Sequence, residues 1–187
     1  MRILAVSGSL RESSFNTSLL RAAIEAAPEG VELVLWEGLA ELPLYDEDLE
    51  TDDVPESVRR LREDWGAAEA ILFSTPEYNG SVPGGLKNAI DWASRPRLEG
   101  VLRNKPVAVV GASTGQFGAL WAQQDLKRIL GVAGARVVGT EIPVARAHER
   151  FDHEDRLLDG EIFEQLRLHT TTLAAEAVAA PERLAIV

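Results

Sequence analysis

Between Gly8 and Thr17 the chain reads Gly-Ser-Leu-Arg-Glu-Ser-Ser-Phe-Asn-Thr, directly after the apolar run Ile3 to Val6 and at the start of a helical pattern. A small-residue turn that leaves a strand and opens a helix presents several unpaired backbone N–H groups at the positive end of a helix dipole. That is chemistry for an anion. Ser9, Ser14, Asn16 and Thr17 add side-chain donors, and Arg11 adds a planar cation able to grip phosphate oxygens in pairs. One Ser or Asn would cap a helix here, so four polar residues and an arginine point to a phosphate cradle.

A cradle needs a scaffold, and the rest of the chain supplies one. Short apolar runs alternate with stretches of helical period, the pattern of an α/β protein with a mostly parallel sheet. Strands are expected over Ile3 to Val6, Val31 to Trp36, Ala70 to Ser74, Val107 to Gly111 and Arg136 to Gly139. Several are apolar throughout, which implies a sheet covered on both faces. The intervening helices carry stripes at three- and four-residue spacing: Val58, Leu61, Trp65 and Ala68; Leu86, Ala89, Ile90 and Ala93; Leu126, Ile129, Leu130 and Ala133. The first helix is expected over about Thr17 to Ala27 and the last over about Glu161 to Ala179, before Pro181. No dividing linker interrupts them, so one domain over 1–180 and a short tail over 181–187 are expected.

In an open parallel sheet the ligand lies beyond the carboxyl ends of the strands, where the strand order reverses. The loops after the third and fourth expected strands are both unusual. Thr75-Pro76-Glu77-Tyr78-Asn79-Gly80-Ser81-Val82-Pro83-Gly84-Gly85 is dense in Pro, Gly and Asn. Such a segment is stiff and exposes its backbone to the edge of a flat heterocycle, with Tyr78 offering a ring as a platform. Gly111-Ala112-Ser113-Thr114-Gly115-Gln116-Phe117-Gly118 is a second donor-rich rim. Taken together, the three loops imply an elongated planar ligand with a phosphate tail, and FMN fits that description.

Over nearly its whole length the chain resembles the NAD(P)H-dependent FMN reductase family of flavodoxin-like quinone, chromate and azo-dye reductases. Gly8-Ser9-Leu10-Arg11 with Ser14 and Asn16 is similar to the family's phosphate loop, Pro76 to Gly80 to its isoalloxazine loop, and Gly111 to Gly118 to its pyrimidine-edge loop. The resemblance implies a flavodoxin-like three-layer sandwich with a five-stranded parallel sheet in the order 2-1-3-4-5. It implies FMN held at the phosphate by Ser9, Arg11, Ser14, Asn16 and Thr17, at the ring by Pro76, Glu77, Tyr78, Asn79 and Gly80, and at the polar edge by Ser113, Gly115 and Gly118. Ser94 and Arg95 are implied as further contacts. NADPH or NADH is the implied co-substrate, and a quinone, chromate, azo compound or free flavin the acceptor. A homodimer or homotetramer is implied as well. Many relatives carry an arginine within the segment that here reads Ala119-Leu120-Trp121-Ala122-Gln123, so subunit pairing and cofactor preference do not carry over through Trp121.

Composition narrows the classes further. The formal net charge of −11 argues against nucleic acid as a partner. The densest acidic run, Asp46 to Asp53, lacks the glycine and ligand order of a calcium loop and reads as solvated surface. With no cysteine, thiol chemistry and disulfides are excluded, which suits a cytoplasmic protein. The N-terminus turns polar at Ser7, so it reads as a buried strand with no membrane insertion expected. His148 and His153 sit in a charged segment without a second ligand cluster, and His169 falls on an apolar stripe, so no metal site is expected. Neither a Gly-x-Ser-x-Gly elbow nor a Walker A sequence occurs. Hydride transfer needs stacking and orientation more than acid and base groups, so no catalytic side chain is required beyond the flavin. A flavodoxin-type electron carrier without nicotinamide activity, or a binding module that has lost the cofactor, are the two alternatives.

Overall fold

The apolar runs become the strands of one parallel sheet in the computed structural model, which describes residues 1–51 and 53–179. The strands are β1 (Arg2–Ser7), β2 (Glu32–Trp36), β3 (Ala70–Ser74), β4 (Pro106–Ala112), β5 (Arg136–Val137) and β6 (Pro143–Val144). The helices are α1 (Phe15–Glu25), α2 (Glu56–Ala67), α3 (Gly84–Ala93), α4 (Leu120–Val132) and α5 (Gly160–Ala179). The order β2-β1-β3-β4-β5 is the expected one. The expected tail over 181–187 lies outside the described residues.

Because successive strand residues point to opposite faces, β1, β3 and β4 divide their side chains between two cores. Ile3, Ala5, Leu72, Ala108 and Val110 pack under α1 and α5 with Leu19, Leu20, Leu166 and Leu173. Leu4, Val6, Ile71, Phe73, Val107 and Val109 pack under α2, α3 and α4 with Val58, Leu61, Trp65, Leu86, Ile90, Leu126 and Leu130. All residues of β3 and β4 are buried, as strands covered on both sides must be.

The fifth strand departs from expectation. In place of a run to Gly139, β5 pairs only with the start of β4, and β6 pairs with its end. Between them Gly139 has a φ of +73°, and a Cβ there would stand 2.3 Å from Cε1 of His169. The ring of His169, buried on α5, therefore fills the space that any side chain at position 139 would need, and only glycine fits there.

One side chain fixes the strand ends that carry the three loops. Asn16, buried in the first turn of α1, accepts through Oδ1 from the Ser74 hydroxyl at 2.9 Å and the Ala112 N–H at 3.0 Å. Its Nδ2 donates to the Ala112 carbonyl at 3.0 Å. The last residues of β3 and β4 are thus tied to the helix that follows β1. Beside this clasp the Gly8 N–H donates to the Ser74 carbonyl at 2.8 Å. A Cβ on Gly8 would fall 2.8 Å from Cδ2 of Leu86, so glycine is needed for the close approach.

Two outcomes follow from these buried groups. Asn16→Ala strands the Ser74 hydroxyl and the Ala112 N–H, so urea unfolding of the flavin-free protein should show a loss of about 3 kcal/mol. A loss below about 0.5 kcal/mol would remove the clasp from this account. For His169, burial first and then the Lys127 ammonium push the pKa down to about 4, with Glu141 opposing. Between pH 6.5 and 4 the unfolded chain holds a proton on this ring that the folded chain lacks, so stability falls as pH drops through that interval. His169→Phe should recover about 2 kcal/mol of the stability lost between pH 7 and pH 5. An unchanged pH slope in the variant would show that the ring is not the titrating group.

Candidate active site

At the start of α1, Ser14 is the N-cap, and its Oγ accepts from the Thr17 N–H at 3.4 Å. Ser7, which sequence reasoning passed over, organises the turn below it: its Oγ accepts from the Ser9 N–H at 3.3 Å and from the Thr17 hydroxyl at 3.0 Å. The Ser9 hydroxyl in turn accepts from the Arg11 N–H at 3.4 Å. Within the described residues, the backbone N–H groups of Leu10 and of Glu12 through Asn16 find no acceptor. The Arg11 side chain is exposed and makes no hydrogen bond or ion pair to a described residue. A crevice of about 360 Å³ opens here, lined by Ser7, Ser9, Arg11 and Thr17, with Arg21 and Gly38 beyond. Asn16 differs from the expectation. Its amide side chain is buried in the scaffold with three protein hydrogen bonds, so what it offers an anion is its backbone N–H at the helix start.

The loop after β3 is held by backbone geometry and by α4. Asn79 and Gly80 have φ of +53° and +75°, and Tyr78 and Ser81 exchange both backbone hydrogen bonds, which makes a tight two-residue turn. Pro76 is buried, and Tyr78 stands 53% exposed at the tip. The Glu77 carboxylate accepts from the Ala122 N–H at 3.1 Å, placing a negative charge at the amino end of α4. Ser81 donates to Asp125 on the same helix at 2.5 Å. That hydroxyl first, and Arg128 second, hold the Asp125 carboxyl below its ordinary range.

The loop after β4 is fastened to the segment beyond β6. The Ser113 N–H donates to the Val144 carbonyl at 3.1 Å, while the Ser113 and Gly115 carbonyls accept from the Ala147 and Arg146 N–H groups at 2.9 and 3.0 Å. Gly118 has a φ of +58°, and a Cβ there would lie 2.5 Å from the Pro143 carbonyl carbon. Only glycine fits. Gln123, fully buried, donates to the Gly118 carbonyl at 3.1 Å and accepts from the Ile142 N–H at 3.0 Å. Sequence reasoning missed it, although a glutamine three residues before Leu126 and seven before Leu130, on the apolar stripe of α4, marks a buried polar group. The five N–H groups from Thr114 to Gly118 find no acceptor among the described residues. Phe117 and Trp121 flank this rim as a ring pair with centroids 4.8 Å apart, each about half exposed.

The structure thus brings the predicted residues of all three loops to the carboxyl edge of β1, β3 and β4. Two runs of unpaired N–H groups, one beside Arg11 and one beside two aromatic rings, suit an anion at one end and carbonyl or nitrogen acceptors at the other. Tyr78 lies on the loop between them. Among the described residues no helix is long and apolar enough to cross a membrane.

Comparison with known proteins agrees with this geometry. Residues 1–149 match the model of the NADPH-dependent FMN reductase family. Over 160 residues, 85% of each chain, the protein is 43% identical to an NAD(P)H-dependent FMN reductase of Pseudomonas aeruginosa. It is 44% identical over 128 residues, 68% of each chain, to a quinone reductase of Pseudomonas putida. Among solved structures, the flavoenzyme NAD(P)H:(acceptor) oxidoreductase FerB from Paracoccus denitrificans superposes with a TM-score of 0.83 at 34% identity, covering 96% of this chain and 98% of that one. Sequence, fold and the three convergent loops therefore agree that this chain belongs to the NADPH-dependent FMN reductase family.

Proposed function

We propose that the chain is an FMN-dependent NAD(P)H oxidoreductase that reduces quinones and related acceptors, built as a single flavodoxin-like domain. The observation that carries this reading is the convergence of unpaired backbone donors after β1 and β4 on the two sides of the Pro76 to Gly80 turn. FMN supplies the chemistry when bound, taking hydride from NADPH or NADH and passing electrons to the acceptor.

The residues fit that ligand in three parts. The N–H groups of Glu12 to Asn16, the hydroxyls of Ser9, Ser14 and Thr17, and the Arg11 guanidinium would hold the phosphate. Pro76 to Gly80 would border the ring, with Tyr78 shaping the stacking face and Glu77 fixing the loop to α4. The N–H groups of Thr114 to Gly118, positioned through Ser113, Gly115 and Gly118, would stabilise negative charge on the pyrimidine edge of the reduced ring. No general acid or base is required for the hydride step. The relatives named quinone reductase favour a quinone, which takes the two electrons of one reduced flavin, as acceptor; free flavin takes the same two, and an azo compound or chromate needs more than one turnover.

The protein as isolated, loaded with FMN, should lose its flavin absorption band on anaerobic mixing with NADPH or NADH and regain it when a quinone is added. A band that neither nicotinamide bleaches would contradict the reductase reading and favour an electron carrier. A protein that takes up no FMN would favour a binding module.

The same reading includes a homodimer or homotetramer in the cytoplasm. A groove of about 810 Å³ runs between α3 and α4, lined by Lys87, Asp91, Asp125, Arg128, Ile129 and Val132. Val132 is 82% exposed, and Trp121 stands eleven residues before it on the same helix. Apolar side chains ringed by both signs of charge suit a self-complementary contact. Sedimentation velocity should give a dimer or tetramer for the natural chain and a smaller species for Val132→Glu, and a monomeric natural chain would remove this part of the reading.

A further inference from the structure

The Arg11 guanidinium has no polar partner among the described residues, yet it is not free of contacts: its central carbon lies 5.5 Å from the centre of the Phe15 ring. The Phe15 ring stacks in turn on Phe151, with centroids 5.6 Å apart and an interplanar angle of 26°. Phe151 is 7% exposed, so the column runs from a buried base to an exposed cation.

The base is held firmly. Phe151 forms an antiparallel bridge with Leu157 across a turn closed by the Asp152 carboxylate, which accepts from the Glu154 N–H at 2.8 Å and the Arg156 N–H at 2.9 Å. The residue before it, Arg150, pairs with Asp159 at 2.7 Å, and the Asp159 carboxylate accepts from the Glu161 and Ile162 N–H groups at the start of α5. Phe151 also lies beyond residues 1–149, the span matched by the family model.

We propose that Phe151 is a positioning residue for the phosphate of the ligand, acting through the Phe15 ring on the Arg11 guanidinium. The inference rests on the phosphate role given above to the Gly8 to Thr17 loop. An arginine on an exposed loop samples many rotamers, and ordering it on binding costs free energy. A ring beneath the guanidinium limits that sampling without taking any of its N–H donors, which stay available to phosphate oxygens. Phe15 can serve as that surface only if its own ring is held, and Phe151 is the ring that holds it. The far end of the chain thereby reaches both ends of the site, since Arg146 and Ala147, a few residues earlier, fasten the 113–115 rim.

Riboflavin has the ring system of FMN without the phosphate, so the ratio of the two affinities isolates the phosphate contact. Fluorescence titration of both flavins against the flavin-free protein supplies that ratio, and a thermal melt checks that each variant folds. Arg11→Ala should reduce the preference for FMN by about 10- to 100-fold. Phe151→Leu, which keeps the apolar volume and loses the flat face, should reduce it by about 3- to 10-fold with riboflavin affinity held within about twofold. Added to Arg11→Ala, it should change the ratio no further. Should Phe151→Leu fail to fold, Phe15→Leu interrupts the same column at its middle and carries the same expectation. A folded variant with the natural ratio, or one that loses both flavins equally, overturns the positioning role. If Arg11→Ala itself leaves the ratio unchanged, the contact lies with the backbone N–H groups and the positioning role falls with that of Arg11, whereas equal affinity of the natural protein for both flavins overturns the phosphate reading of the loop.

Discussion

The Asn16 side chain is the constraint on which the site depends. An amide offers an acceptor and a donor from one planar group, and here it satisfies the end of β3 and both backbone groups of Ala112 at the end of β4 from the first turn of α1. The three points it joins are the roots of the three loops. Were they free to splay, the unpaired N–H groups at Glu12 to Asn16 and at Thr114 to Gly118 would still exist, but they would not address one ligand. Burial strengthens the arrangement, because an amide this deep has no water to replace a lost partner.

Electrostatics at the site are local and largely uncharged. The chain carries a net charge of −11, yet the donors that face the crevice are backbone dipoles, hydroxyls and the Arg11 guanidinium, with Arg21 beyond. Dipoles fixed by secondary structure need no reorganisation when charge arrives, which is what both a phosphate and a reduced flavin edge require. The carboxylates nearest the loops act on the scaffold: Glu77 caps α4, and Asp125 ties Ser81 to Arg128. Their negative charge is matched by helix dipole and cation, while Glu12, Glu37 and Glu41 line the crevice at the α1 end together with Arg11 and Arg21.

Much of this was legible in the residues because it is local. The strand runs, the striped helices and the three small-residue loops each announce themselves within about fifteen residues, and the observed sheet order agrees with the resemblance. What was hidden depends on pairs distant in the chain. Asn16 reads as one more phosphate donor until Ala112, 96 residues later, is seen to meet it. Glu77 reads as a ring contact until the N–H of Ala122, 45 residues on, is found at its carboxylate. The requirement for glycine at position 139, between β5 and β6, comes from His169 thirty residues later, a steric fact with no signature in either segment. Trp121, in the segment where many relatives carry an arginine, proves half exposed beside Phe117.

A crystal structure of the protein grown with excess FMN tests the central claim most directly. The account places the phosphate on the N–H groups of Glu12 to Asn16 within reach of Arg11, and the ring between the Pro76 to Gly80 turn and the Thr114 to Gly118 rim, with the Asn16 bonds to Ser74 and Ala112 intact. Flavin bound at any other surface, or those three loops closed on one another with no flavin between them, would contradict it.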